Sequence, residues 1–147
     1  MLALPGYWED QVEALRDFDG VVWLRKEFEL TAAEAGQPAQ LALARIDDHD
    51  STWMNGVPVG SIREYLTVRR YAVPGPLLRA GRNVVAVRVV DTGGGIWGAA
   101  ADMRLATATR TLSLAGPWQY QVPYDPATPP VPSPSGPRCC RGCSSMA

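Results

Sequence analysis

Apolar and polar residues alternate along several short segments of this chain, and this two-residue period is the feature that most restricts its fold. The clearest example runs from Gly20 to Leu30, where the set Val22, Leu24, Phe28 and Leu30 alternates with a set that is charged from Arg25 to Glu29. Successive side chains of a β-strand point to opposite faces of a sheet, so this alternation predicts a strand with one buried face. Similar segments follow at residues 40–46, 65–73, 84–90, 103–105, 111–114 and 118–122.

Turn-forming residues separate these segments. Asn55-Gly56 lies between two β-prone stretches, and this pair readily adopts the two positive φ angles of a type I′ hairpin turn. Residues 77–83 predict a helical turn or loop that closes at Gly81. The nearly continuous apolar run 84–90 predicts a central strand covered on both faces. Many short strands at such spacing predict an all-β sandwich or barrel.

The ends of the chain differ from its middle. Trp8, Val12 and Leu15 recur at helical spacing, which predicts a short helix or turn that lies on the sandwich. A high proline density after Val122 predicts an extended tail without a packed core. We therefore divide the chain into an N-terminal segment, a β-sandwich and a proline-rich tail, at residues 1–19, 20–122 and 123–147. The three cysteines all lie in the last nine residues and do not indicate a redox compartment.

The charge balance does not point to a particular partner. Fourteen Lys and Arg residues face fifteen Asp and Glu residues, and the formal net charge is -1. Without a basic run, we expect no nucleic-acid partner. No apolar stretch reaches the roughly 20 residues that span a bilayer, and the N-terminus lacks the basic and apolar regions of an export signal. We therefore expect no membrane partner either.

Three ordered motifs carry a resemblance to a known family. They are DFDGVVWLRKEF at 17–28, IDDHDSTWMNG at 46–56 and GRNVVAVRV at 81–89. Together they resemble the accessory β-sandwich domain of bacterial sialate O-acetylesterases, which is similar to the sugar-binding domain of glycoside hydrolase family 2. The resemblance extends over roughly residues 6–130 and includes the segments 91–98 and 114–118. It implies a jelly-roll, galactose-binding-like fold and a parent enzyme that deacetylates sugars and is generally exported, although this chain does not itself indicate a localisation.

The chain also departs from the family's pattern. The esterase has a nucleophilic serine in a Gly-Gln-Ser-type motif and a distant catalytic histidine, and neither motif occurs here. Residues 138–147 have an unrelated composition, which we interpret as the end of a truncated coding sequence or a cloning scar. The sequence therefore predicts a domain that is not a complete enzyme.

The acidic corner at residues 47–50 places three carboxylates, Asp47, Asp48 and Asp50, within four positions. Like charges this close repel, so the corner needs arginines, hydrogen-bond donors or a cation. The simplest expectation is pairing with one of four arginines, Arg45, Arg69, Arg70 or Arg88. A structural calcium ion is a weaker alternative because the loop lacks EF-hand spacing, and no other cofactor is expected. Sugar hydroxyls are a third candidate.

Aromatic side chains give the best candidates for sugar contact. Trp23 and Trp53 lie in predicted strands, and we expect them in the core because tryptophans are mostly buried. Trp97 differs, because it lies in the glycine-rich segment 91–98, where a loop tryptophan can stay exposed. We therefore predict ligand contacts from Asp91 and Trp97 first. The remaining predicted contacts are Asp48, Asp50, Arg69, Arg70 and Tyr71.

The acidic corner also allows a catalytic alternative. If residues 47–53 are extended, Asp47, His49 and Ser51 share one face and could form an acid, base and nucleophile set. Glu64 or Asp91 with a corner aspartate could serve as a glycosidase carboxylate pair.

The sequence thus leaves three functions open: a non-catalytic domain that binds sugar or docks on a catalytic domain through its end loops, a minimal glycosidase or acetylesterase, and a structural spacer. Separation from the parent enzyme would also expose surface that could drive self-association.

Overall fold

A computed structural model describes residues 1–16, 18–91 and 95–122, without the side chains of residues 14 and 91. The proline-rich tail and its cysteines lie outside the described residues. Within them, twelve β-strands are present: β1 Leu2–Leu4, β2 Gly6–Tyr7, β3 Gly20–Leu30, β4 Ala39–Ile46, β5 His49–Met54, β6 Val57–Ile62, β7 Val68–Val73, β8 Gly81–Asp91, β9 Gly95–Trp97, β10 Met103–Thr107, β11 Thr111–Ser113 and β12 Gly116–Gln121. Four single 3₁₀ turns connect them, at Trp8–Asp10, Glu13–Leu15, Gly75–Leu77 and Ala100–Asp102.

The strands form two antiparallel sheets. The front sheet has the order β1-β12-β3-β8-β5-β6. The back sheet has the order β11-β10-β4-β9-β2, and β7 pairs with the other edge of β4. The predicted all-β, jelly-roll sandwich is confirmed. It contains three strands that the sequence did not predict, β1, β2 and β9, because each is only two or three residues long and too short for a period to be visible.

Alternate side chains of the long strands fill the space between the sheets. In β8, Val85, Val87 and Val89 are fully buried, whereas the residues between them are half-buried. The prediction that β8 is covered on both faces is therefore wrong for its outer face. This strand is central as expected, since β3 and β5 pair with its two edges.

The N-terminal segment is part of the sandwich. Leu2, Leu4, Trp8 and Leu15 are at most 2% exposed, and β1 pairs with β12. The predicted helix or turn is present only as two 3₁₀ turns, and the two strands beside them were not predicted. The division into three parts stays a prediction, although these burials show that the first part contributes to the core.

The connections partly follow the predictions. Asn55 and Gly56 have φ angles of 48° and 82°, so the predicted hairpin turn with positive φ angles between β5 and β6 is confirmed. Residues 77–83 differ, because the 3₁₀ turn precedes them and β8 already begins at Gly81. None of the described helices is long and apolar enough to cross a membrane.

Candidate functional site

The carboxylates of the acidic corner turn in different directions. Asp50 is the second residue of β5 and its side chain is fully buried between the sheets. Asp47 and Asp48 connect β4 to β5 and are half-buried, and Asp48 adopts a positive φ of 65°. The corner therefore does not form one acidic cluster.

Asp50 is the centre of a buried polar network that crosses between the sheets. Its Oδ1 accepts from Arg69 Nε at 2.7 Å, and both side chains are 0% exposed. Its Oδ2 accepts from the hydroxyls of Tyr71 at 2.7 Å and Thr52 at 2.9 Å. Burial, and the hydrogen bond to the Asp50 carboxylate, raise the pKa of Tyr71 well above its ordinary value. Asp50 thus has the arginine partner that the sequence analysis expected.

Arg69 also fixes the connection between β6 and β7. Its guanidinium donates to the carbonyl oxygens of Glu64 at 2.5 Å and Thr67 at 2.8 Å, and more weakly to that of Asp48 at 3.2 Å. Arg69, Asp50 and Tyr71 were predicted as ligand contacts. The structure instead uses all three inside the sandwich, where their polar atoms already have partners.

The end of the sandwich carries a second set of contacts, around Trp97. The ring centroid of this half-buried indole lies 5.0 Å from the guanidinium carbon of Arg45, which covers one face of the ring. The indole also donates a hydrogen bond to the Asp47 carboxylate, as does the backbone of Gly95. Arg45 Nε donates to the carbonyl oxygen of Leu66 at 2.9 Å. We call Arg45, Asp47 and Trp97 the end surface.

The pKa of Asp47 reflects this environment. Partial burial raises it above the ordinary value, and the charges of Asp48 and Glu9 add to the rise. The hydrogen bonds from Gly95 and Trp97 oppose it.

Irregular backbone builds the end surface. Ala44 has a φ of 56°, and the register of β4 against β7 shifts between Ala42 and Arg45, which marks a β-bulge. After this bulge Arg45 lies directly opposite Trp97 of β9. Gly95 is needed here because a Cβ atom would lie 2.5 Å from the carbonyl oxygen of Gly6. The sequence analysis placed Trp97 in a loop, and the structure places it in a short strand.

The catalytic candidates are not brought together as predicted. His49 Nε2 and Ser51 Oγ both contact Ser61 Oγ, at 2.9 Å and 3.4 Å, whereas Asp47 contacts Trp97 and Gly95. Ser61 donates its own proton to the carbonyl oxygen of Asp50 at 2.7 Å. His49 Nε2 is therefore the donor toward Ser61, an arrangement that does not activate a serine.

The other predicted residues either lie away from the end surface or have side chains that the structure does not describe. Glu64 is exposed and accepts from the backbone of Leu66 at 2.7 Å and from the hydroxyl of Thr67. Arg70 is exposed on β7. Asp91 ends β8, and its side chain lies outside the described residues, as do residues 92–94. No group of three or more His, Cys, Asp or Glu side chains in the described ranges could hold a metal ion.

The outer face of the front sheet carries an aromatic pair that the sequence pattern did not predict. Trp23 and Trp53 are half-buried there, outside the core, with ring centroids 5.3 Å apart and a 33° angle between their planes. The prediction that both are core residues is wrong. In β3 the two alternating sets, Val21 with Trp23 and Val22 with Leu24, are both apolar, so the pattern did not reveal which set faces inward.

Neither the protein-family models nor the curated proteins gave a match. Solved structures did match, among them a β-glucuronidase of Bifidobacterium dentium, with 27% identity, a TM-score of 0.55 and 60% of this chain covered. A Faecalibacterium prausnitzii β-glucuronidase has 27% identity, a TM-score of 0.52 and 59% covered.

A GH2 β-galacturonidase from Eisenbergiella tayi covers more of the chain, 74%, at 20% identity and a TM-score of 0.51. The matches span only 15% to 18% of these three solved chains. The fold of this chain is therefore a jelly-roll β-sandwich that is similar to one part of larger glycosidases.

Proposed function

We propose that this chain is a carbohydrate-binding accessory domain of a larger carbohydrate-active hydrolase, and that it contacts its ligand through the end surface. The observation that carries the proposal is the half-buried indole of Trp97, which neighbouring side chains hold in place. The Arg45 guanidinium packs on one face of the ring, and the Asp47 carboxylate accepts a hydrogen bond from the indole N–H. Because these contacts already fix the ring, little conformational entropy is lost when a pyranose packs against it. An aromatic face next to a few placed polar groups is typical of small-ligand sites.

The comparisons support a hydrolase context. The matched proteins are named as glycosidases that act on uronides, and the similar region is a small part of each. A glycosidase parent is therefore the simplest inference. The esterase parent implied by the sequence motifs stays a prediction, and so does export with the parent enzyme.

Binding tests the proposal directly. Isothermal titration of the full chain against galactosides, glucans, sialosides and uronides should find at least one ligand. For that ligand, Trp97→Ala should weaken binding by about tenfold, equivalent to about 1.4 kcal/mol. Val57→Ala, which truncates an exposed residue of the β5–β6 hairpin, is the control and should leave affinity unchanged.

Other outcomes point to the remaining functions. An absence of saccharide binding together with Trp97-dependent binding to a catalytic domain would leave docking as the role of the end surface. Turnover of a chromogenic glycoside or acetate ester, abolished by Asp91→Ala or His49→Ala, would replace the accessory function with a hydrolase. An absence of binding, docking and turnover would leave a structural spacer. Self-association stays a prediction, and size-exclusion chromatography over a range of concentrations tests it.

A further inference from the structure

The outer face of the front sheet carries a second group of side chains suited to a ligand. The strand register places Trp23 and Ser51 on the two sides of Arg88, and Ser61 directly opposite Ser51. Trp53 lies opposite Ala86, one outward position along β8. We call Trp23, Trp53, Arg88, Ser51 and Ser61 the aromatic face.

The two indoles form one continuous apolar surface. They belong to β3 and β5, which flank β8 and so lie roughly 9.5 Å apart. Their ring centroids are nevertheless only 5.3 Å apart, so the rings lean toward each other over β8. The small side chain of Ala86 beside Trp53 leaves space for this. Both side chains are half-buried, and the part of each indole that stays in contact with water favours a ligand that covers it.

Arg88 places a positive charge on the aromatic face. Its half-buried guanidinium has no hydrogen bond or ion pair with any of the described residues. By contrast, Arg25 on the same outer face is paired with Glu27 at 2.9 Å. A guanidinium presents parallel N–H donors that match the two oxygens of a carboxylate.

Two serine hydroxyl groups lie on β5 and β6, the next two strands from Arg88. Ser61 uses its proton on the carbonyl oxygen of Asp50 and receives His49 Nε2 at 2.9 Å. Ser51 Oγ lies 3.4 Å from Ser61 and keeps a lone pair free, and the second ring nitrogen of His49 has no hydrogen bond in the described part of the chain. These groups can pair with ligand hydroxyls.

We propose that the aromatic face binds an acidic saccharide, with a pyranose ring against the two indoles and its carboxylate on Arg88. A protein partner would fit a purely apolar face, but this face combines aromatic rings, a guanidinium that no described residue pairs with, and hydroxyls in neighbouring positions. The site is separate from the end surface and adds a preference for charged sugars to the proposed accessory function.

Titration of the full chain with two matched ligands tests this. One is an oligogalacturonate, and the other is the galacto-oligosaccharide of the same length and linkage, which carries CH₂OH in place of each carboxylate. We expect the oligogalacturonate to bind at least about tenfold more tightly, since a hydrogen bond to a charged group contributes about 1.5 to 3 kcal/mol. Increasing salt should reduce this difference.

Variants separate the contribution of the Arg88 charge from the contribution of the indole rings. Arg88→Gln should weaken oligogalacturonate binding about tenfold and leave the neutral ligand within about twofold. Trp53→Ala should weaken both ligands, and Trp53→Phe, which keeps a ring, covers the case in which Trp53→Ala fails to fold. Arg70→Gln, which removes an exposed positive charge from β7 of the back sheet, is the matched control for Arg88→Gln and should change neither affinity. Trp97→Ala reports on the end surface alone, so failure of the end-surface proposal can be told apart from failure of this one.

Three results would overturn the inference. In the first, the two ligands bind with equal affinity. In the second, Arg88→Gln binds the oligogalacturonate as tightly as the unchanged protein does. In the third, the chain binds no saccharide but self-associates, and Trp53→Ala abolishes the self-association. The last result would identify a second copy of the chain as the occupant of the aromatic face.

Discussion

Single residues at the end surface show how a local environment determines the charge state of a carboxylate. Asp47 is partly buried and close to two other acidic residues, and its pKa rises although Gly95 and Trp97 donate hydrogen bonds to it. The sequence identified Asp47 and Trp97 as candidates, but it did not indicate that they bind each other. Their contact depends on the pairing of β4 with β9, which lie far apart in the chain.

Removing the charge of Asp47 should stabilise the protein at neutral pH. The pKa of Asp47 in the folded state is above its ordinary value of about 3.9, so its favourable contribution is complete below that value and is lost as pH rises through the folded pKa. Asp47→Asn keeps a side-chain oxygen for Gly95 and Trp97. We expect it to increase the free energy of unfolding at pH 7 and to have almost no effect at about pH 3.

Urea unfolding at both pH values measures this difference. Asp19→Asn, which changes an exposed carboxylate before β3, is the control and should have little effect at either pH. A loss of stability at pH 7, or an equal change at both pH values, would contradict the expected linkage.

Among the elements, β4 shows where a sequence pattern stops being sufficient. Its predicted span of residues 40–46 agrees closely with the observed Ala39–Ile46. The bulge inside it could not be predicted, because Leu41, Ala42, Leu43 and Ala44 are consecutive apolar residues without a visible change of period. The bulge is nevertheless what brings Arg45 opposite Trp97.

A β-branched residue at the bulge should be costly. Ala44 is fully buried with a φ of 56°, a left-handed conformation that β-branched residues rarely adopt. We expect Ala44→Val to lower the free energy of unfolding by about 2 kcal/mol or more. Ala106→Val, in the regular strand β10, is the matched control and should change it by about 0.5 kcal/mol or less.

Thermal or urea unfolding of the two variants measures this difference in the free energy of unfolding. Loss of ligand binding by Ala44→Val under conditions where it remains folded would further link the bulge to the position of Arg45. Equal stabilities of the two variants would show that the bulge tolerates a branched side chain.

For the whole molecule, the buried network around Asp50 connects the two sheets. Asp50 and Thr52 belong to β5 of the front sheet, and Arg69 and Tyr71 belong to β7 of the back sheet. The alternation of apolar residues was sufficient to predict a sandwich. It was not sufficient to show that a carboxylate points into it, because the burial of Asp50 depends on an arginine nineteen residues away.

Breaking this network should destabilise the fold strongly. Asp50→Asn leaves the fully buried Arg69 without a counterion, and we expect a loss of about 3 to 5 kcal/mol. Glu27→Gln removes the exposed partner of Arg25 and should cost less than about 1 kcal/mol. Urea unfolding at neutral pH compares the two, and similar losses for both variants would show that the buried pair is not needed for stability.

The pairing of β1 with β12 has a consequence for how such a domain can be carried by another polypeptide. Leu2 lies opposite Trp118 and Leu4 opposite Gly116, so the antiparallel strands put the beginning of one and the exit of the other at the same end of the front sheet. Neighbouring strands are only about 4.8 Å apart. A host protein could therefore accommodate the whole sandwich within a single surface loop, entering and leaving at nearly the same point, without separating the flanking parts of its own structure.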